Sequence, residues 1–327
     1  MSASVAASVR TQLEDRRRRL QSVVGEVGPA DDLVRLLHAV DDALVRLDTG
    51  RYGQCDVCHE RVEDELLLAH PLIQYCLCAL SPQQQADLEH DLGLARRVQL
   101  SLLPSQNFVA SGWAAHFRYQ PAGPVSGDYL DVVACDGGER PVYFLLGDVA
   151  GKGVAASLRM AQLSATIRGL VGSEPPPGEL VERANEQLSR TGMSTQFATL
   201  VCARATPAGD VELCNAGHCP PLVARGGRVD AMDSGGFPVG LAFGDRYDAQ
   251  ALTLASTDTL LLYSDGITEA MDPHGRQFGV ERLVDCLEAH HALGPAALAA
   301  ACLSAVADFR GRAPSHDDVS LMVVRRG

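Results

Sequence analysis

Aspartate stands beside glycine or a second aspartate at four separate points of this chain. These are Ser126-Gly127-Asp128-Tyr129-Leu130-Asp131, Gly147-Asp148-Val149-Ala150-Gly151-Lys152-Gly153, Ser264-Asp265-Gly266-Ile267-Thr268-Glu269 and His316-Asp317-Asp318-Val319-Ser320. The second follows the apolar run Pro141–Leu146, the third follows Thr259–Tyr263, and the fourth opens the last apolar run, so each lies at the edge of a strand. A carboxylate at a strand end, followed by glycines that let the backbone turn tightly, is suited to holding a hard cation. One aspartate–glycine turn of this kind is ordinary solvated structure. Four of them bring carboxylates to places where a soluble fold keeps them only if paired, hydrogen-bonded or bound to metal. The glycines around Lys152 also suggest a phosphate loop, but Gly153 follows the lysine where that motif requires Ser or Thr.

The segments SGDYLD, GDVAGKGVAASLRM, FATLVCAR, NAGHCPPL, YSDGITEA, FGVERL and HDDVSLMVV follow one another over about residues 95–327. In content and order they resemble the metal-dependent PPM protein serine/threonine phosphatases, and within them the bacterial SpoIIE/RsbU branch. The resemblance implies a metal-assisted phosphomonoester hydrolysis with two Mn²⁺ or Mg²⁺ ions, which activate water, neutralise phosphate and orient in-line attack. Oxygen-only ligands favour those ions over zinc. By motif, Asp148 corresponds to the aspartate bridging both ions, with the Val149 carbonyl as a further ligand. Asp265 and Asp317 correspond to the remaining ligands of one ion, and Asp128 serves the second. Asp318 joins the metal group as an outer carboxylate, and Asp131 is expected to act in the same way, orienting ligands or metal-bound waters. No protein nucleophile is required. His218, in Asn215-Ala216-Gly217-His218, is read as part of a turn rather than as a general acid, and Lys152 as solvated. The phosphate clamp is left without an assigned residue.

The remaining composition bounds the rest. A 46% hydrophobic, 21% charged chain is that of a folded, non-membrane protein, with no apolar run of spanning length and no signal-peptide plan at Met1–Arg10, so a cytoplasmic location is expected. A formal charge of −13 opposes nonspecific nucleic-acid binding. Ten cysteines in such a chain read as thiols or metal ligands, not as a disulfide framework.

Four of those cysteines form two close pairs, Cys55/Cys58 and Cys76/Cys78, the plan of a structural zinc site. The segment resembles the DksA/TraR zinc finger, departing from it in the second pair, which is C-x-C with Ala79 at the expected ligand position. Cys78 with altered geometry, or His59 or His70 in its place, would complete the set; the alternative is a finger without metal, held by its apolar residues. Before it, residues 1–27 and a stretch capped by Asp31 show helical spacing of apolar residues and predict an antiparallel helical hairpin. After it, Leu88, Leu92, Ala95, Val98 and Leu102 recur at three and four, predicting a helix over 83–103 whose seam packs either on its own domain or on a second chain in a homodimer.

From Trp113 the pattern changes to strands (113–120, 126–135, 141–147, 197–204, 211–215, 220–224, 249–254, 259–264, 318–325) broken by helices at 153–171, 178–190, 279–290 and 295–310. Such runs predict antiparallel sheets covered by helices, and the family resemblance makes this an α+β fold of the α-β-β-α sandwich type. The expected division is 1–80 for hairpin and finger, 81–105 for a linking helix, and 106–327 for the phosphatase domain. The leading function is a protein Ser/Thr phosphatase controlled by its N-terminal region, and the resemblance implies as substrate a phosphorylated STAS-type anti-sigma factor antagonist. Two other classes compete: a partner-docking module without catalysis, and an RNA polymerase-binding zinc-finger regulator.

Overall fold

The computed structural model describes residues 3–27, 31–62, 64–76, 81–134, 140–190, 197–232, 235–241, 246–313 and 317–327. Two compact units divide at Leu92, inside the helix α4 (Pro82–Leu102) that was expected to link them. In the first unit, α1 (Ala3–Val27) and α2 (Asp31–Asp48) run antiparallel. Ion pairs Arg10–Asp48 at 2.6 Å and Arg17–Asp41 at 2.8 Å fix that direction. Val9, Leu13, Val40 and Ala43 share a small core with Tyr52, Cys55, Val62 and with Leu67 of the short α3 (Asp64–Ala69). Among the described residues no helix is long and apolar enough to cross a membrane.

The second unit is an α-β-β-α sandwich. One sheet holds β1 (Asn107–Ala110), β2 (Trp113–Gln120), β11 (Val319–Arg326), β10 (Thr259–Tyr263), β7 (Leu222–Arg225) and β8 (Arg228–Ala231) in that spatial order. The other holds β3 (Asp128–Ala134), β4 (Val142–Val149), β5 (Ala198–Ala205), β6 (Asp210–Ala216) and β9 (Ala249–Thr253). All pairings are antiparallel.

Both faces of the central strands are covered, which is why they read as unbroken apolar runs instead of alternating ones. On β4, Phe144 and Leu146 face the second sheet, together with Leu130, Met322 and Leu262. Tyr143 and Leu145 face α5 (Gly153–Val171) and α6 (Pro177–Arg190), against Leu163, Ile167 and Leu180. On the opposite outer face, α8 (Gly279–His290) and α9 (Pro295–Arg310) cover Leu261, Tyr263 and Leu321. Four elements escaped the sequence reading: the six-residue α3, and β1, β8 and the single turn α7 (Asp265–Thr268), each only four residues long.

The linking helix differs from its expected seam. Its buried residue is the polar Gln99, while Leu88, Leu94, Leu100 and Val98 (62% accessible) stand exposed. Of the expected seam, Leu88 and Val98 are thus exposed, whereas Leu92 and Ala95 are half-buried and Leu102 packs against the core of the second unit.

Candidate active site and metal centre

Strand register brings the first two aspartates together: Asp128 opens β3 directly opposite Asp148 at the end of β4. The other two come from the facing sheet, Asp265 two residues after β10 and Asp317 two residues before its neighbour β11. Two buried serines hold that end closed. Ser264 N–H donates to the Ser320 carbonyl at 2.9 Å, and Ser320 N–H donates to Ser264 Oγ at 3.0 Å. The Ser320 hydroxyl then donates to Asp128 Oδ2 across the gap between the sheets.

Asp318 is occupied differently. Its Oδ1 accepts the Ala122 N–H at 2.7 Å and its Oδ2 the Gly127 N–H at 3.2 Å, tying the 122–127 loop to β11. The same loop is clamped from α4, where the Gln99 amide donates to the Ser126 carbonyl at 2.6 Å and accepts the Ser126 N–H at 3.0 Å. Gln99 lies inside the helix predicted over 83–103, yet nothing local in the sequence announces a partner 27 residues away.

The electrostatics follow from this crowding. Burial, then the charge of Asp148, pushes Asp128 well above the usual carboxylate range. Asp148 is pushed up to about 7, first by burial and then by Asp265, Asp317 and Asp318, with Lys152 pulling the other way. Asp265 is raised by burial and by Asp317. Carboxylates forced together in this way, one of them only 2% exposed, require a compensating cation.

Gly127 shows where hard donors converge. A Cβ added there would lie 2.9 Å from the Val149 carbonyl oxygen and 3.2 Å from Asp148 Oδ1, so only glycine leaves that cradle open. The donors are all oxygens, which suits Mg²⁺ or Mn²⁺. Among the described residues no three of these carboxylates bring ligand atoms within 4.8 Å of one another.

Asp131 was expected beside the metal and is not. Side chains alternate along a strand, so Asp131, three residues after Asp128, faces the helices. There Arg168 of α5 grips it through Nε at 2.8 Å and Nη2 at 2.9 Å, and the Tyr129 hydroxyl donates to it. Arg168 also donates to the Leu102 carbonyl at the end of α4.

His218 is buried, and burial lowers it to about 4, so it is neutral. Its Nδ1 lies 2.8 Å from Thr199 Oγ1, which donates to the Asp148 carbonyl at 3.3 Å. Asn215 closes the turn by accepting the His218 N–H at 2.8 Å. This is the turn role read from the sequence. Lys152, read as solvated, instead reaches Asp317 at 3.5 Å. His316 and Cys78 lie outside the described residues.

The second candidate centre is the thiol group of the first unit. Cys55, Cys58 and Cys76 place their sulfurs within 4.8 Å of one another, and neither His59 nor His70 brings a ring nitrogen into that group. Backbone N–H groups of the knuckle, with that of Cys76, lower the Cys55 thiol to about 6. Such a thiolate is a ready ligand for a soft or borderline ion.

With this geometry in place, the comparisons with known proteins decide the family. Residues 138–327 match the profile of the family described as Stage II sporulation protein E (SpoIIE). The chain belongs to the SpoIIE family. It is similar to protein IcfG of Synechocystis sp., 26% identical over 230 residues, spanning 61% of this chain and only 36% of that one. It is also similar to the phosphoserine phosphatase RsbU of Bacillus subtilis, 23% identical over 251 residues, 74% of this chain and 72% of that one. The PP2C domain of SiaA from Pseudomonas aeruginosa shares the fold with a TM-score of 0.64 at 20% identity, covering 74% of this chain and 97% of that domain. The SpoIIE-family unit thus has the fold of a PP2C domain, and its sandwich carries the aspartates at the strand ends of both sheets.

Proposed function

We propose that the protein is a metal-dependent protein serine/threonine phosphatase of the partner-switching kind, acting on a phosphorylated STAS-type anti-sigma factor antagonist. The observation that carries the reading is the convergence of Asp128 and Asp148 from one sheet with Asp265 and Asp317 from the other, beside the open Val149 carbonyl. Two divalent ions bound there supply an activated water and offset charge on the phosphate. The chain's own contribution is placement. Ser320 holds Asp128, Asp318 holds the loop that carries Gly127, and Thr199 with His218 braces the strand behind Asp148. No side chain at the site is assigned as a nucleophile. Similarity to RsbU supports the substrate class. Phosphate release from phosphorylated STAS-domain proteins is expected with Mn²⁺ and absent with chelator; release unaffected by chelator would refute the metal assignment.

The thiol group supports a structural zinc held by Cys55, Cys58 and Cys76, with Cys78 as fourth ligand. Purified protein is expected to carry about one zinc per chain, because thiolates retain that ion where carboxylates exchange theirs. Elemental analysis of a Cys55→Ser/Cys58→Ser variant should show the zinc gone, and a zinc-free parent prepared without chelator would mean that the finger rests on its apolar core alone.

The exposed stripe of α4 supports a homodimer, and the continuity of this helix into the clamp at Gln99 supports regulation through it. Leu92→Asp is expected to lower the oligomeric mass seen by light scattering and to shift the Mn²⁺ concentration needed for half-maximal turnover. A variant matching its parent in both would reduce the helix to a spacer.

A further inference from the structure

Resting on the phosphatase reading, we propose that Lys152 is the side chain that binds the phosphoryl group of the substrate. The sequence left that role without an owner, and the position of this lysine supplies one. It occupies the N-cap of α5 and makes no capping bond. Gly151 and Gly153 flank it with φ of 106° and 74°, conformations that side chains rarely adopt. Neither glycine has anything within 4 Å of the place a Cβ would take. Crowding therefore does not demand glycine there; the backbone path does, and that path delivers the Lys152 side chain to the site from the β4–α5 turn. Its Nζ lies 3.5 Å from Asp317 Oδ2, a ligand carboxylate of the other sheet, while the side chain remains 61% accessible. A long cation anchored at the site yet open to solvent is placed to meet an incoming anion.

Charge counting gives it the task. Four ligand aspartates and two divalent cations sum to zero, so a phosphomonoester dianion arriving at the loaded site still lacks a positive partner. Lys152 is a cation already ion-paired with one of these aspartates, Asp317. With the Asp317 carboxylate held by metal its pull on the ammonium would weaken, and the accessible Nζ can then donate to a phosphoryl oxygen. A donor on a charged pair of this kind is worth enough to change affinity about tenfold.

The test uses the full chain loaded with Mn²⁺, and inorganic phosphate as the probe. Calorimetry should show phosphate binding about tenfold weaker in Lys152→Ala than in the parent, and largely restored in Lys152→Arg. For p-nitrophenyl phosphate, KM should rise by a similar factor while kcat changes less. Mn²⁺ affinity, read from the free-ion electron paramagnetic resonance signal, should be unchanged or tighter in Lys152→Ala, since a competing cation has been removed. Unchanged phosphate affinity in Lys152→Ala overturns the proposal. So does a loss of phosphate binding that merely tracks weakened Mn²⁺ binding, because Lys152 would then be a structural counter-ion. A parent that binds Mn²⁺ but hydrolyses no phosphoester would refute the phosphatase reading itself, a separate outcome from either of these.

Discussion

Asp148→Asn is expected to lower phosphate release by more than about a hundredfold, since even outer partners of metal ligands are worth 10–100-fold and Asp148 is proposed to be shared by both ions. The same variant should be more stable than its parent when no metal is present. Burial and the charges of Asp265, Asp317 and Asp318 raise Asp148 from 3.8 to about 7 in the folded protein. Between those values the folded chain holds more protons than the unfolded one, so stability of the chelated parent falls as pH rises through that window. Asparagine removes this contribution. Thermal unfolding in chelator should therefore show the parent losing more stability than the variant between pH 5 and 8, with the variant's midpoint higher at pH 8. Near-parental turnover in Mn²⁺, or a variant midpoint below the parent's at pH 8, would contradict the picture of a crowded carboxylate cluster.

The second large effect lies away from the metals. Arg168→Ala strips the bidentate partner from Asp131, which is fully buried, and leaves a carboxylate with only the Tyr129 hydroxyl and the Val132 N–H. Leaving one member of such a pair uncompensated costs about 3 kcal/mol, so the catalytic unit should unfold several degrees earlier. A double variant, Arg168→Met with Asp131→Leu, should recover most of the loss because no buried charge then remains. If Arg168→Ala unfolds at the parent's temperature, water reaches Asp131 and the pair is merely a surface contact.

Much of this was legible in the chain. The central strands showed themselves because both their faces are buried, and the clustered aspartates because each stands at a strand end beside a turn residue. What escaped was of two kinds. The strands β1 and β8 are short edge pieces whose exposure alternates or is largely open, so no apolar run marks them. The other kind is pairing at a distance. Asp317 meets Lys152 and Ser320 meets Asp128 across 165 and 192 residues, and such partners are chosen by tertiary packing, not by local pattern. Asp131 is an intermediate case: once β3 is known to begin at Asp128, the two-residue period alone turns it to the far face.

The distribution of the proposed ligands over two sheets also has a kinetic meaning. No hairpin of the chain contains more than two of Asp128, Asp148, Asp265 and Asp317, so a half-made sandwich offers a fragment of the site with little hold on a cation. Long-range contacts of this order form late and slowly. On the proposed ligand set a metal ion would bind the finished native state in preference to the unfolded chain. Its effect would then fall on the return path, lengthening the lifetime of the folded molecule more than it shortens the time taken to reach it.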